Sequence, residues 1–168
     1  MSGIWIPTRE LTVLGVHPEL GFQSGVRMQN FSAQLVLTIR FLNTQNSFWA
    51  KRIHSNDSLY KTNHFYGPYI GVDCGRRLYS FRKSEIHLIY GLGFDASTVL
   101  KHIRKNEYRC EDVRSYNLNF GIGYKHYFKK SSYVGIEAKY NIVDYRLNGV
   151  IDLKGDYVSI RISYGYFE

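Results

Sequence analysis

Apolar and polar residues alternate with a period of two along most of this chain. In residues 31–41 (FSAQLVLTIRF) the odd positions Phe31, Ala33, Leu35, Leu37, Ile39 and Phe41 are apolar, and the even positions Ser32, Gln34, Thr38 and Arg40 are polar, with Val36 as the exception. A strand places two such sets on opposite faces. Residues 20–29 repeat the pattern, with Leu20, Phe22, Val26 and Met28 against Gln23, Arg27 and Gln29. Further along, the apolar set moves to even positions. Tyr66, Ile70, Val72 and Cys74 oppose Gly71, Asp73 and Gly75, while Ile86, Leu88, Tyr90, Leu92 and Phe94 oppose Glu85, His87, Gly91 and Gly93. Tyr116 to Tyr124, Val134 to Ile142 and Val158 to Tyr166 behave alike, against Asn117, Asn119, Gly121 and Gly123, then Gly135, Glu137, Lys139 and Asn141, then Ser159, Arg161, Ser163 and Gly165. An opening strand at residues 3–7, where Ile4 and Ile6 flank Trp5, brings the expected total to eight. That even number suits a closed antiparallel barrel with both termini on one side.

The connections alternate as well. Tight turns are expected at residues 29–31, 81–84 and 129–132, and longer connections at 8–19, 43–63, 95–112 and 146–154. Short turns on one side and long loops on the other are the asymmetry of outer-membrane barrels, with the short turns and both termini in the periplasm. Within the third long connection, residues 96–105 are expected as a short helix capped by Asp95.

A soluble lipocalin-like ligand-binding barrel also alternates, but with its apolar set inside. Here the polar face is rich in Gly and carries charges of both signs: Arg27, Arg40, Asp73, Arg77, Glu85, His87, Glu137, Lys139 and Arg161. Water-facing strand surfaces tolerate Gly poorly. A narrow eight-stranded interior, which side chains must fill, needs small residues beside large ones. Gly121 and Gly123 are expected opposite Lys139 and Glu137. On the apolar face, Tyr66, Phe94 and Tyr116 gather toward the long connections, and Tyr124, Phe128, Tyr164 and Tyr166 toward the tight turns, as rings at the two membrane interfaces do. Strands of about ten residues match a tilted bilayer crossing. The reading is therefore an all-β, eight-stranded antiparallel up-and-down transmembrane β-barrel, with lipid outside and polar side chains inside.

Composition agrees. The 168 residues suit one domain, and the 15 Tyr against two Met and three Pro favour strands over helices. The mean hydropathy of −0.31 does not exclude a membrane, because an alternating barrel averages to a soluble-looking value. The N-terminus lacks the basic segment and apolar stretch of an export signal. The expectation is that such a signal has been removed, or that the chain starts part-way into its first strand. Cys74 and Cys110 are expected to be free thiols, Cys74 serving as a small hydrophobe.

The alternating strands, the long and short connections and the closing residues 157–167 (YVSIRISYGYF) resemble the small outer-membrane barrel domains of OmpA/OmpX type. The opening residues 3–8 (GIWIPT) and the Gly-x-Gly-Tyr of residues 121–124 are similar to barrel proteins of Bacteroides-type bacteria. The resemblance implies a Gram-negative envelope protein inserted by the barrel-assembly machinery. In such proteins the last strand ends on an aromatic residue; here Phe167 is followed by Glu168.

Chemistry is sparse. His126 lies on the apolar face near Ser131 and Ser132 without a carboxylate on that face, so it reads as an interfacial histidine rather than part of a triad. His54, His64 and His102 have no metal-ligand spacing, and neither a metal nor a cofactor is expected. The charged polar-face residues read as a salt-bridged plug rather than an ion path, since charges in a narrow lumen must pair. The net charge of +8 follows no single helix or groove, which gives no case for nucleic acid. Lys51, Arg52, Lys101, Arg104 and Lys105 in the long connections are candidate contacts for lipopolysaccharide phosphates, with other envelope proteins as further partners. The expected role is non-enzymatic, structural or in surface recognition. A lipid A-modifying enzyme is the alternative within the membrane.

Overall fold

The structure, a computed structural model, describes the backbone of residues 1–51, 59–104, 107–128, 132–144 and 155–166, and the side chains of these except residues 41–66 and 97–113. The chain forms β1 (Ser2–Pro7), a 3-10 helix (Arg9–Leu14), β2 (His17–Met28), β3 (Phe31–Lys51), β4 (Leu59–Phe81), β5 (Ser84–Arg104), β6 (Glu107–Tyr127), β7 (Ser132–Val143) and β8 (Tyr157–Tyr166). Each strand pairs antiparallel with its sequence neighbour, and β1 pairs with β8 to close the barrel. No helix is long and apolar enough to cross a membrane, which says nothing about crossing by strands.

The period of two fixes which side faces out. Phe22, Leu92, Phe120, Ile122 and Ile162 stand half or more exposed on the outer wall, whereas Arg40 and Arg161 inside are 0% and 1% exposed. A soluble barrel would show the reverse. The aromatic rings fall where the pattern places them: Phe94 and Tyr116 pack with tilted rings 5.0 Å apart toward the long hairpins, and Phe128 stacks on Tyr164 at 6.5 Å toward the tight turns. Tyr66 lies among the residues whose side chains are not described.

Turns at residues 29–30 and 82–83 join β2 to β3 and β4 to β5, with Gln29 and Arg82 at positive φ of 48° and 53°. The expected connections at 129–132 and 146–154 fall mostly outside the described residues. The register confirms Gly121 opposite Lys139 and Gly123 opposite Glu137. A Cβ on Gly121 would run into the Ala138 carbonyl and the Lys139 backbone, so this glycine makes room for its cross-strand neighbour.

Two expectations are corrected. Residues 43–63 and 95–112 are not long loops: β3 continues to Lys51, β4 starts at Leu59, β5 continues to Arg104 and β6 starts at Glu107. Of the short helix expected at 96–105, the described residues 96–104 are strand instead, because β5 keeps its ladder with β6 through Ala96↔Arg114 and Leu100↔Cys110 to Arg104↔Glu107. Helix propensity is a weak preference that a ladder partner overrides. Beyond the bilayer a hairpin needs no apolar face, so its strands lose the alternation that marks them.

β1 is short. It pairs with β2 only over Ser2–Trp5 and with β8 over Ser2–Pro7, and the Met1 amino group donates to the Gly21 carbonyl at 2.8 Å. A cavity of about 330 Å³ is lined by Met1, Gln23, Gln34, Tyr133 and Ser163 among others. At the opposite mouth, the 3-10 helix buries Leu11 and Leu14 beside β1 and β3, and Thr8 ties back to the Asp156 carbonyl through both its N–H and its hydroxyl at 2.8 Å.

Candidate functional site: the charged lumen

Inward-pointing positions of all eight strands meet in three layers. Toward the long hairpins, the Arg40 guanidinium from β3 grips Asp95 of β5 with both Nη atoms at 3.0 Å and donates to the Tyr157 hydroxyl at 2.8 Å. Its plane lies over the rings of Tyr157 and Trp5 at 4.6 and 5.4 Å. Glu19 of β2 stands 3.7 Å from Arg40 Nε and accepts from Arg161 Nε of β8 at 2.5 Å. Asn117 adds a bond to Tyr157 at 2.7 Å. A planar fork with five donors is suited to such a site, where one carboxylate is gripped end-on and a second sits beside it.

In the middle layer, Lys139 of β7 pairs with Asp73 of β4, and Asn119 of β6 donates to both Asp73 at 3.1 Å and Tyr69 at 3.0 Å. Toward the tight turns, Glu85 of β5 accepts from Arg27 at 2.6 Å, Arg77 at 3.0 Å and the Tyr127 hydroxyl at 2.9 Å, with His87 Nε2 3.2 Å away. Lys125 lies 4.9 Å over the Tyr133 ring. Glu137 faces a void of about 10 Å³ that it shares with His87, Lys125 and Gln34, the size of one water.

All nine lumen residues expected from the sequence point inward, but they do not form one cluster. Arg40 and Arg161 join the first layer, Asp73 and Lys139 the second, and Arg27, Arg77, Glu85 and His87 the third, with Glu137 between the last two. The alternation also held partners that were missed. Glu19, Asp95 and Lys125 each continue the phase of the inward set by one step past Gly21, Gly93 and Gly123. Asp95 is thus a fully buried ion-pair partner and not a helix cap. Among the described residues, the three layers hold five carboxylates (Glu19, Asp73, Glu85, Asp95, Glu137) and six strong bases (Arg27, Arg40, Arg77, Lys125, Lys139, Arg161), near balance. Charges that balance among themselves fill a low-dielectric space at least cost.

Elsewhere, His126 is exposed on the outer wall as expected, and its Nδ1 meets the Ser84 hydroxyl at 3.0 Å, which in turn meets the Tyr124 hydroxyl at 2.9 Å. The serine beside it is the cross-strand Ser84, not Ser131 or Ser132. Among the described residues no carboxylate stands behind this ring, and no three His, Cys, Asp or Glu side chains are grouped to hold a metal. Cys74 is a free, half-buried thiol. Of the candidate lipopolysaccharide contacts, Lys51, Lys101 and Arg104 lie in strands with side chains outside the description, and Arg52 and Lys105 lie outside the described residues.

A closed antiparallel cylinder with an apolar outside and a charge-filled inside is the architecture of the small outer-membrane β-barrels. The chain is similar to the crystal structure of Neisserial surface protein A, with a TM-score of 0.69 at 12% identity over 99% of this chain and 93% of that one. It also aligns with OmpT, an outer membrane protein of Vibrio cholerae, over 91% of this chain and 56% of that one, at a TM-score of 0.26 and 11% identity. No family model matches the chain, and no curated protein does. The first likeness is one of fold.

Proposed function

We propose that the protein is a non-enzymatic outer-membrane barrel with a closed lumen, which displays its long hairpins β3–β4 and β5–β6 outside the cell and keeps both termini in the periplasm. The observation that carries this reading is the layer of Arg40, Asp95, Glu19, Arg161, Trp5 and Tyr157, each at most 1% exposed. Any permeating ion must displace these side chains from their mutual bonds. The role left to the barrel is structural, or recognition through its hairpins. Lys51, Arg52, Lys101, Arg104 and Lys105 supply cations there for lipopolysaccharide phosphates, and loss of all five is expected to weaken lipopolysaccharide binding.

Purified barrel added to a planar lipid bilayer is expected to give no stable unitary conductance. Steady single-channel steps from the wild-type chain would refute the closed lumen. Turnover of labelled lipid A by the purified protein would refute the non-enzymatic reading and favour an enzyme of lipid A instead.

A further inference from the structure

The tight-turn end of β4 and β5 carries cations that are exposed and have no ion-pair partner among the described residues. Arg77 N–H donates to the Asn30 carbonyl at 2.8 Å, which places the β2–β3 turn beside Arg77, so residues 78–86 extend past that turn. Near this point the β4–β5 register shifts between Arg77 and Tyr79, turning Leu78 and Tyr79 outward beside Phe81, all three more than half exposed. Three exposed cations stand among them. Arg76 lies over the Phe31 ring at 5.9 Å, Arg82 lies over the Phe81 ring at 5.1 Å, and Lys83 occupies the turn beside it. The Tyr127 N–H donates to the Lys83 carbonyl at 2.7 Å, which fixes the turn against the wall where His126 is exposed. Glu85, the one carboxylate among the described residues at this end, points inward and is already held by Arg27, Arg77 and Tyr127.

Aromatic rings with cations laid over them, at the rim of an apolar wall, match the level where lipid phosphates lie. We propose that this hairpin end binds the phosphate headgroup of an anionic glycerophospholipid, with Arg76, Arg82 and Lys83 contacting the headgroup and Leu78, Tyr79 and Phe81 its acyl and glycerol region. The choice of glycerophospholipid rests on the periplasmic orientation of the tight turns proposed above. Arginine supplies a fork for phosphate and lysine a point charge, so the pair suits a headgroup better than a free apolar tail.

The test uses the full chain reconstituted in phosphatidylcholine vesicles containing spin-labelled phosphatidylglycerol or spin-labelled phosphatidylcholine, reading the motionally restricted lipid by electron paramagnetic resonance. The wild-type barrel is expected to prefer phosphatidylglycerol by about two- to fivefold, a preference that shrinks in high salt. The R76Q/R82Q/K83Q variant is expected to lose the preference, and R76E/R82E/K83E to reverse it. All three sites are exposed, so heat-modifiable gel mobility is expected to show both variants folded. No preference in the wild type, or an equal preference in the neutralised variant, would overturn the proposal. Both leaflets of such vesicles carry the same lipids, so the outcome is independent of orientation. Labelling of a cysteine placed at the turn in intact cells reads the orientation separately.

Discussion

Replacing Arg40 with alanine removes the guanidinium that grips Asp95 through two Nη–carboxylate bonds, each 3.0 Å long. It also strips the stacking partner from Trp5 and Tyr157. Both partners are wholly buried, so no water replaces the lost bonds. Breaking a buried ion pair by removing one member costs about 3–5 kcal/mol, because the other charge is left behind. Asp95 keeps the Tyr157 hydroxyl at 2.8 Å and Asn117 at 3.3 Å, and Glu19 keeps Arg161, so the lower part of that range, about 3 kcal/mol, is expected here. Removing Asp95 as well should return much of the loss: R40M/D95L is expected to lie well above R40A, since two matched apolar side chains leave no charge unpaired. The assay is reversible urea unfolding in detergent micelles or small vesicles, followed by Trp fluorescence, to which Trp5 contributes from within the site. An R40A loss below about 1 kcal/mol, or a double variant no more stable than R40A, would refute the view that the layer is a matched charge plug.

Three further outcomes follow from other parts of the barrel. Lys139→Met leaves Asp73 without its cation, with Asn119 still donating to it, and is expected to destabilise by about 3 kcal/mol in the same assay, whereas K139M/D73L recovers most of it. Ile122→Arg, at a half-exposed site on the outer wall, is expected to lose about 2–4 kcal/mol in vesicles and much less in detergent, while equal losses in both would argue against lipid contact there. Gly121→Val forces a branched side chain against the Ala138 carbonyl and Lys139, with an expected loss of about 1–3 kcal/mol, and a heat-modifiable band of unchanged midpoint would contradict that crowding.

What was legible in the chain was whatever the bilayer enforces. Lipid on one side and a tight lumen on the other impose strict alternation, so the strand faces, the closure and the inward position of residues such as Arg40 and Glu137 could be read directly. The far ends of β3 and β5 could not, because residues 43–51 and 97–104 do not alternate strictly and their sequence reads equally as loop or helix. Asp95 shows the boundary well. It looks like a cap when judged by its neighbours in sequence, yet it sits one step further along the inward row from Gly93. Which carboxylate meets which base was also hidden, since the three layers join strands far apart in sequence: Arg40 with Asp95, Lys139 with Asp73, Arg161 with Glu19. Ser84 and His126 met for the same reason, across a ladder and not along the chain.

The pairs that fill the lumen have a mechanical consequence. Arg40 with Asp95, Lys139 with Asp73 and Arg161 with Glu19 each join strands that are not neighbours in the wall: β3 to β5, β7 to β4 and β8 to β2. They act as spokes across the bore, where the ladders act around the rim. Two neighbouring strands cannot peel apart without also breaking a spoke, so the wall should open as one unit. Amide exchange at Arg40, Asp73 and Lys139 is therefore expected to share one slow opening step, although these residues lie on three different strands.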